Sequence, residues 1–321
     1  MSPTSLTAEL ANPRSRVSRL LTQHLPGSAL HDAYSNAVRG LTAPIRPAEA
    51  LSTVPWTILG TAIDYRIRMW LGEKNHPGIA EGITIFREFQ QTGTDTPEPY
   101  AHAAAAGDLL LNRMAAYAAA TAPLTATEDD DAARLAIVGA RYDAVFRTIA
   151  VFGAARAIGY FTDLRLSADP VRSLAVLTGK IPRSHVDDIR RQLAAATRAL
   201  ADIKGTPLTC SPTFAGSPHV GHAEGDIIAG GMLIDVKSTI MPRLRPAQAR
   251  KWFHQLAGYL LLDYDNAHQI EAVAVYLSRQ AALLSWPVGE FLHLMGARMP
   301  LRALRDNLKN TLAPHPHQVA V

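Results

Sequence analysis

The sequence predicts an α/β fold: a mixed sheet flanked by helices and enlarged by a large, mainly helical insertion. Three observations lead there. Residues 101 to 205 read as almost wholly helical, strand-like runs begin at about residue 206, and a single helical stretch separates two pairs of those runs. A clean two-part split is not expected, because no internal repeat and no glycine/serine linker is visible.

Each element has a local reason. Residues 1–50 form an N-terminal segment of short helices and loops, broken by Pro13, Pro26, Pro44 and Pro47. Thr57 to Leu71 carries Leu59, Ile63, Ile67 and Leu71 on one helical face, and a shorter helix is expected around Ala80 to Gln91. Ala101 to Ala122 is a helix stopped by Pro123. Asp129, Asp130 and Asp131 suit the positive end of a helix dipole, opening a long helix toward Tyr160, and Val186 to Ile203 gives another. Strands are expected at Gly221–Ala229, Met232–Thr239, Ile270–Leu277 and Ala281–Val288, with a helix at Pro246–Asp263 between them. Residues 301–321 close the chain as a helix and tail, with His315 and His317 read as part of a frayed end.

Composition narrows the function. In 321 residues, 48% are hydrophobic and 19% charged, which excludes disorder as the main description. The single cysteine, Cys210, excludes a disulfide framework, a cysteine-rich zinc site and a four-cysteine cluster within one chain, and favours a cytoplasmic location. No run is apolar enough to span a membrane, and no secretory signal pattern opens the sequence. The net charge of +4 permits a nucleic-acid partner without requiring one.

The informative stretch runs from Gly221 to Ser238. Gly230-Gly231 between two strand-like runs predicts a two-residue hairpin turn, pairing Ala229 with Met232. That register sets Asp226 opposite Asp235 and Glu224 opposite Lys237. One face then collects Ala223, Ile227, Ala229, Met232, Ile234 and Val236 as core. The other collects His222, Glu224, Asp226, Asp235 and Lys237. Two carboxylates with β-carbons about 4.5–5.5 Å apart repel unless a cation sits between them. Mg²⁺ or Mn²⁺, with oxygen ligands at roughly 2.1 Å, suits such a gap. Lys237 is placed to orient a water or balance charge on a phosphate oxygen.

Further along, Gln255-Leu256-Ala257-Gly258-Tyr259 sets Gln255 and Tyr259 on one helix face. Upstream stands Gly60-Thr61-Ala62-Ile63-Asp64. Asp226, Asp235-Val236-Lys237 and Gln-x-x-x-Tyr, in this order, resemble the PD-(D/E)xK nuclease superfamily and its RecB-like branch, without the iron–sulfur cysteines. The resemblance implies a restriction-endonuclease-like fold over residues 51–300, with a helical insertion at about 73–205. It implies a metal-dependent phosphodiester hydrolase acting on DNA, in a repair, phage or anti-phage setting and beside a helicase, ATPase or other complex subunit. Asp226, Asp235, Lys237, Gln255 and Tyr259 would be the catalytic set. Asp226 and Asp235 would ligate metal, with Asp64, which stands where relatives carry a histidine, as a third ligand. The other reading is a catalytically silent DNA-binding or structural subunit.

From Lys237 to Leu262 the chain carries five cations and no acid. Arg243, Arg245, Arg250 and Lys251, on the loop and helix entry after the hairpin, are expected to contact phosphates. Trp252 and Phe253 are read as core. Asp263 and Asp265 are read as a polar turn.

Overall fold

A computed structural model describes residues 6–49, 54–91, 98–152, 158–161, 164–221 and 223–313. His222, His315 and His317 lie outside the described residues. Along the chain come α1 (Leu6–Ala11), α2 (Arg16–His24), α3 (Ser28–Ala37), α4 (Trp56–Leu71), α5 (Pro77–Gln91), α6 (Glu98–Ala118), α7 (Ala126–Phe152), α8 (Pro170–Gly179) and α9 (Arg183–Ala199). There follow β1 (Leu208–Cys210), β2 (Ile227–Ala229), β3 (Met232–Lys237), α10 (Pro246–Leu262), β4 (Ala272–Leu277), β5 (Ala282–Pro287), α11 (Val288–Leu294) and α12 (Leu301–Leu312). The protein is mixed α/β, with a five-stranded mixed sheet flanked by helices.

The chain divides into two compact units. The first joins residues 1–43, 205–237 and 241–321, and the second joins 44–204 with 238–240. The helical unit thus begins at Pro44 rather than near residue 73, and α4 with Gly60-Thr61 belongs to it.

In the first unit the strands follow one another in sequence order. All neighbours are antiparallel except β3 and β4, which run parallel and are joined by the α10 crossover. Gly230 and Gly231, at φ 53° and 77°, make the β2–β3 turn, and Ala229 pairs with Met232 as the sequence predicts. The predicted strand at Gly221–Ala229 shortens to three residues. Gly221 is left-handed at φ 68°, Ser211 on the facing chain is at φ 49°, and Pro212 has no N–H to give the ladder. Only an isolated Thr213–Glu224 bridge survives there.

Pro246, whose missing N–H would be unpaired at a helix start in any case, opens α10. Its Phe253, Leu256 and Leu260 meet Leu233 of β3, Val273 and Val275 of β4, Leu21 of α2 and Leu25 just after it, and Leu304 and Leu308 of α12 in one hydrophobic core. The covered sheet face is the one that carries Asp235. The expectation of a core face and an open ionisable face is therefore corrected: Ile227 and Ile234 are buried on one side, Asp235 on the other. Asp263 is corrected too. It does not sit in an open polar turn but is fully buried against Arg305 of α12, with Nη2 and Oδ2 3.1 Å apart. The same guanidinium donates to the Leu260 carbonyl (3.1 Å) and to Asn266 Oδ1 (2.9 Å), so one side chain satisfies the end of α10.

The second unit is helical. α5 crosses α7 so closely that a Cβ on Gly82 would lie 2.0 Å from the Tyr142 carbonyl oxygen, which only glycine permits. α7 opens with a reciprocal cap: the Glu128 N–H donates to Thr125 Oγ1 and the Thr125 N–H to Glu128 Oε2. The three aspartates that follow serve ion pairs more than the helix dipole. Asp129 joins Arg66 and Arg190, Asp130 joins Arg134, Arg183 and Arg190, and Asp131 meets Arg113.

Candidate active site

The site residues of the first unit gather where the end of β3 passes beneath α10. Asp235 and Lys237 alternate in phase on one strand, so both project from the same face. Asp235 is 1% exposed, and its Oδ2 lies 2.7 Å from the Lys237 ammonium. Lys237 Nζ also donates to Gln255 Oε1 at 3.1 Å. One helical turn on, Gln255 Nε2 donates to the Tyr259 hydroxyl at 3.0 Å. The Tyr259 ring stacks on Phe214, with centroids 5.7 Å apart. Four residues of the predicted set thus form one connected polar line from strand to helix.

Asp226 joins the line differently from the sequence expectation. It stands one residue before β2, outside the ladder, and its Oδ2 accepts the Val236 backbone N–H at 2.7 Å. The carboxylate therefore closes the open end of the hairpin between Asp235 and Lys237. It is half-buried, as are Lys237 and Gln255.

Trp252, one turn before Gln255 on α10, is half-buried. Its ring centroid lies 5.6 Å from Lys237 Nζ and its edge meets Tyr34. It is thus both core and neighbour of the lysine, a role the sequence reading missed although its spacing of three from Gln255 placed it on that side. His254 points away and bonds the Leu25 carbonyl at 2.9 Å.

Arg243, Arg245, Arg250 and Lys251 are all exposed, on the loop before α10 and on its first turns. Asp64 lies on α4 in the second unit, and Arg68 takes both of its oxygens, Nε to Oδ1 at 2.9 Å and Nη2 to Oδ2 at 2.5 Å. That bidentate pair occupies the carboxylate expected to be a third ligand. Among the described residues no group of three or more His, Cys, Asp or Glu side chains is arranged to hold a metal ion. Asp226 and Asp235 are hard oxygen donors, the chemistry an oxygen-preferring dication takes, and the Lys237 ammonium lies against Asp235.

No described helix is long and apolar enough to cross a membrane. No family model, curated protein or solved structure matches this chain.

Proposed function

We propose that the protein is a divalent-metal-dependent nuclease of the PD-(D/E)xK type, hydrolysing phosphodiester bonds in DNA. The observation that carries this reading is the position of Lys237, whose ammonium is shared between the Asp235 carboxylate and the Gln255 carbonyl oxygen. A lysine tethered on both sides is held in one orientation, as a group that must meet developing charge needs to be.

In this reading Asp226 and Asp235 hold Mg²⁺ or Mn²⁺. The bound ion would polarise the phosphate and acidify a water. Lys237 orients that water and neutralises charge on the phosphate oxygen. Gln255 fixes the lysine, and Tyr259, braced by Phe214, fixes Gln255. Arg243, Arg245, Arg250 and Lys251 hold the phosphate backbone without reading sequence. A helicase, ATPase or other complex subunit is the partner class this reading brings with it.

A silent, DNA-binding subunit is the second reading, favoured by the occupied Asp64 carboxylate and the depth of Asp235. Cleavage of linear, circular and single-stranded DNA with Mg²⁺ or Mn²⁺ tests the first. Metal-dependent cleavage that Lys237→Ala abolishes supports it, and cleavage that survives Lys237→Ala overturns it. Calorimetry with Mn²⁺ separates the second: an active site loses a binding event on Asp235→Ala, whereas a silent subunit has none to lose.

A further inference from the structure

The helical unit contains a cavity of about 390 Å³, within the range of small-molecule sites. Its lining joins residues of α4, α9 and the end of α6 with the loop before α7, the start of α7 and Lys204 beyond α9, all within this unit.

The charge on its wall is unbalanced. Arg66, Arg190 and Lys204 line it against one carboxylate, Asp129. Asp129 is divided between two guanidinia, Arg66 Nη2 to Oδ1 at 2.8 Å and Arg190 Nε to Oδ2 at 2.7 Å. Arg190 also reaches Asp130 at 3.4 Å, but Asp130 is shared with Arg134 and Arg183. Arg66 is only 4% exposed, and its Nε has no hydrogen-bond partner among the described residues. A buried guanidinium that shares its carboxylate with a second one is only part-neutralised, and an anion in the cavity beside the pair completes the balance.

The remaining wall is mostly apolar, with Trp70 and Tyr117 as its aromatic residues and Thr121 and Thr197 as its hydroxyls. Trp70 is half-buried, Met69 lies beside it, and the exposed Lys204 ammonium stands 4.7 Å from the indole centroid. With the exposed Lys204 side chain swung from the ring to the phosphate, a flat ring can stack on that indole while its anionic group meets the arginines, which is the division of labour in sites that hold a base and its phosphate.

We propose that this cavity binds a small aromatic phosphate of the nucleotide class. Trp70 is the stacking platform, Arg66 and Arg190 take the phosphate from within, and Lys204 closes over it from the rim. The proposal stands independently of the nuclease reading, since none of these residues belongs to the polar line of the first unit.

Calorimetric titration of the full chain with AMP, adenosine and inorganic phosphate tests it. AMP is expected to bind at least about tenfold more tightly than either fragment. Lys204→Glu, an exposed substitution, and Trp70→Leu should each weaken AMP by about tenfold or more with the melting temperature little changed. Absence of AMP binding at millimolar concentration overturns the proposal. So does equal binding of phosphate alone, equal binding of adenosine, or AMP affinity indifferent to both substitutions.

Discussion

Lys237 and Gln255 are 18 residues apart in sequence and belong to a strand and the crossover helix that follows it, yet the ammonium donates to the amide oxygen at 3.1 Å. The bond ties the end of β3 to the middle of α10. It is the point at which sheet geometry and helix geometry have to agree for the site to exist.

On the proposed nuclease reading, Gln255→Leu slows DNA cleavage without removing Lys237 itself. Loss of a group that only orients a reacting one typically costs about 10–100-fold. Tyr259→Phe removes the partner of the Gln255 amide and should cost less than Gln255→Leu. Single-turnover rates with saturating Mn²⁺ give the order. A Tyr259→Phe loss larger than that of Gln255→Leu would mean that the tyrosine acts on substrate directly.

Arg243, Arg245, Arg250 and Lys251 are exposed cations on one short stretch. If each neutralises one phosphate, replacing any of them with alanine lowers the slope of log affinity against log salt by about 0.9 on duplex DNA. Fluorescence anisotropy over a salt series measures it. An unchanged slope in all four variants would remove this surface from the DNA interface.

Arg305→Met should be among the most destabilising single changes in the first unit. It strips a fully buried Asp263 of its cation and leaves the Leu260 carbonyl unpaired. Breaking one side of a buried pair costs about 3–5 kcal/mol. The double variant Arg305→Met/Asp263→Leu should recover part of that loss in urea unfolding, because no unpaired charge then remains buried.

His76 gives a pH dependence in the second unit. It is 3% exposed, stacks edge-on against Tyr65, and neither ring nitrogen has a hydrogen-bond partner among the described residues. Burial, reinforced by the nearby Arg68 charge, pushes its pKa from 6.5 down to about 4. The folded state thus holds the neutral ring where the unfolded chain takes up a proton. Stability from this group is complete above pH 6.5 and is lost as pH falls toward 4, a change of about 3 kcal/mol. Urea unfolding across that window should show a shallower acid slope for His76→Leu than for the wild type. Parallel slopes would show that carboxylates elsewhere dominate.

The hairpin was legible because two adjacent glycines leave little choice of turn, and the turn determines every cross-strand neighbour. The helix of Gln255 was legible from its apolar spacing and from Pro246. β1 was not: three strand residues, among the four that separate Pro207 from Pro212, are too few to show alternation. The Asp64–Arg68 pair could have been read from its spacing of four, which favours an acid and a base on one helix face. A motif expectation for Asp64 obscured that simpler partner. Asp263 was illegible for the opposite reason, since Arg305 lies 42 residues away and only the packing of α12 on α10 brings them together.

The first unit is interrupted in sequence, and this has a consequence during synthesis. Tyr34 on α3 bonds the Pro242 carbonyl at 2.8 Å, and the Leu25 carbonyl after α2 waits for His254. At ribosomal rates of about 5–20 residues per second, the more than 200 residues between those partners take about 10–40 s to emerge. The helical unit, nearly continuous from Pro44 to Lys204, can condense in that interval. The apolar faces of α2 and α3 remain uncovered throughout it. The nascent chain therefore has a timed vulnerability at α2 and α3, which closes only when α10 leaves the ribosome.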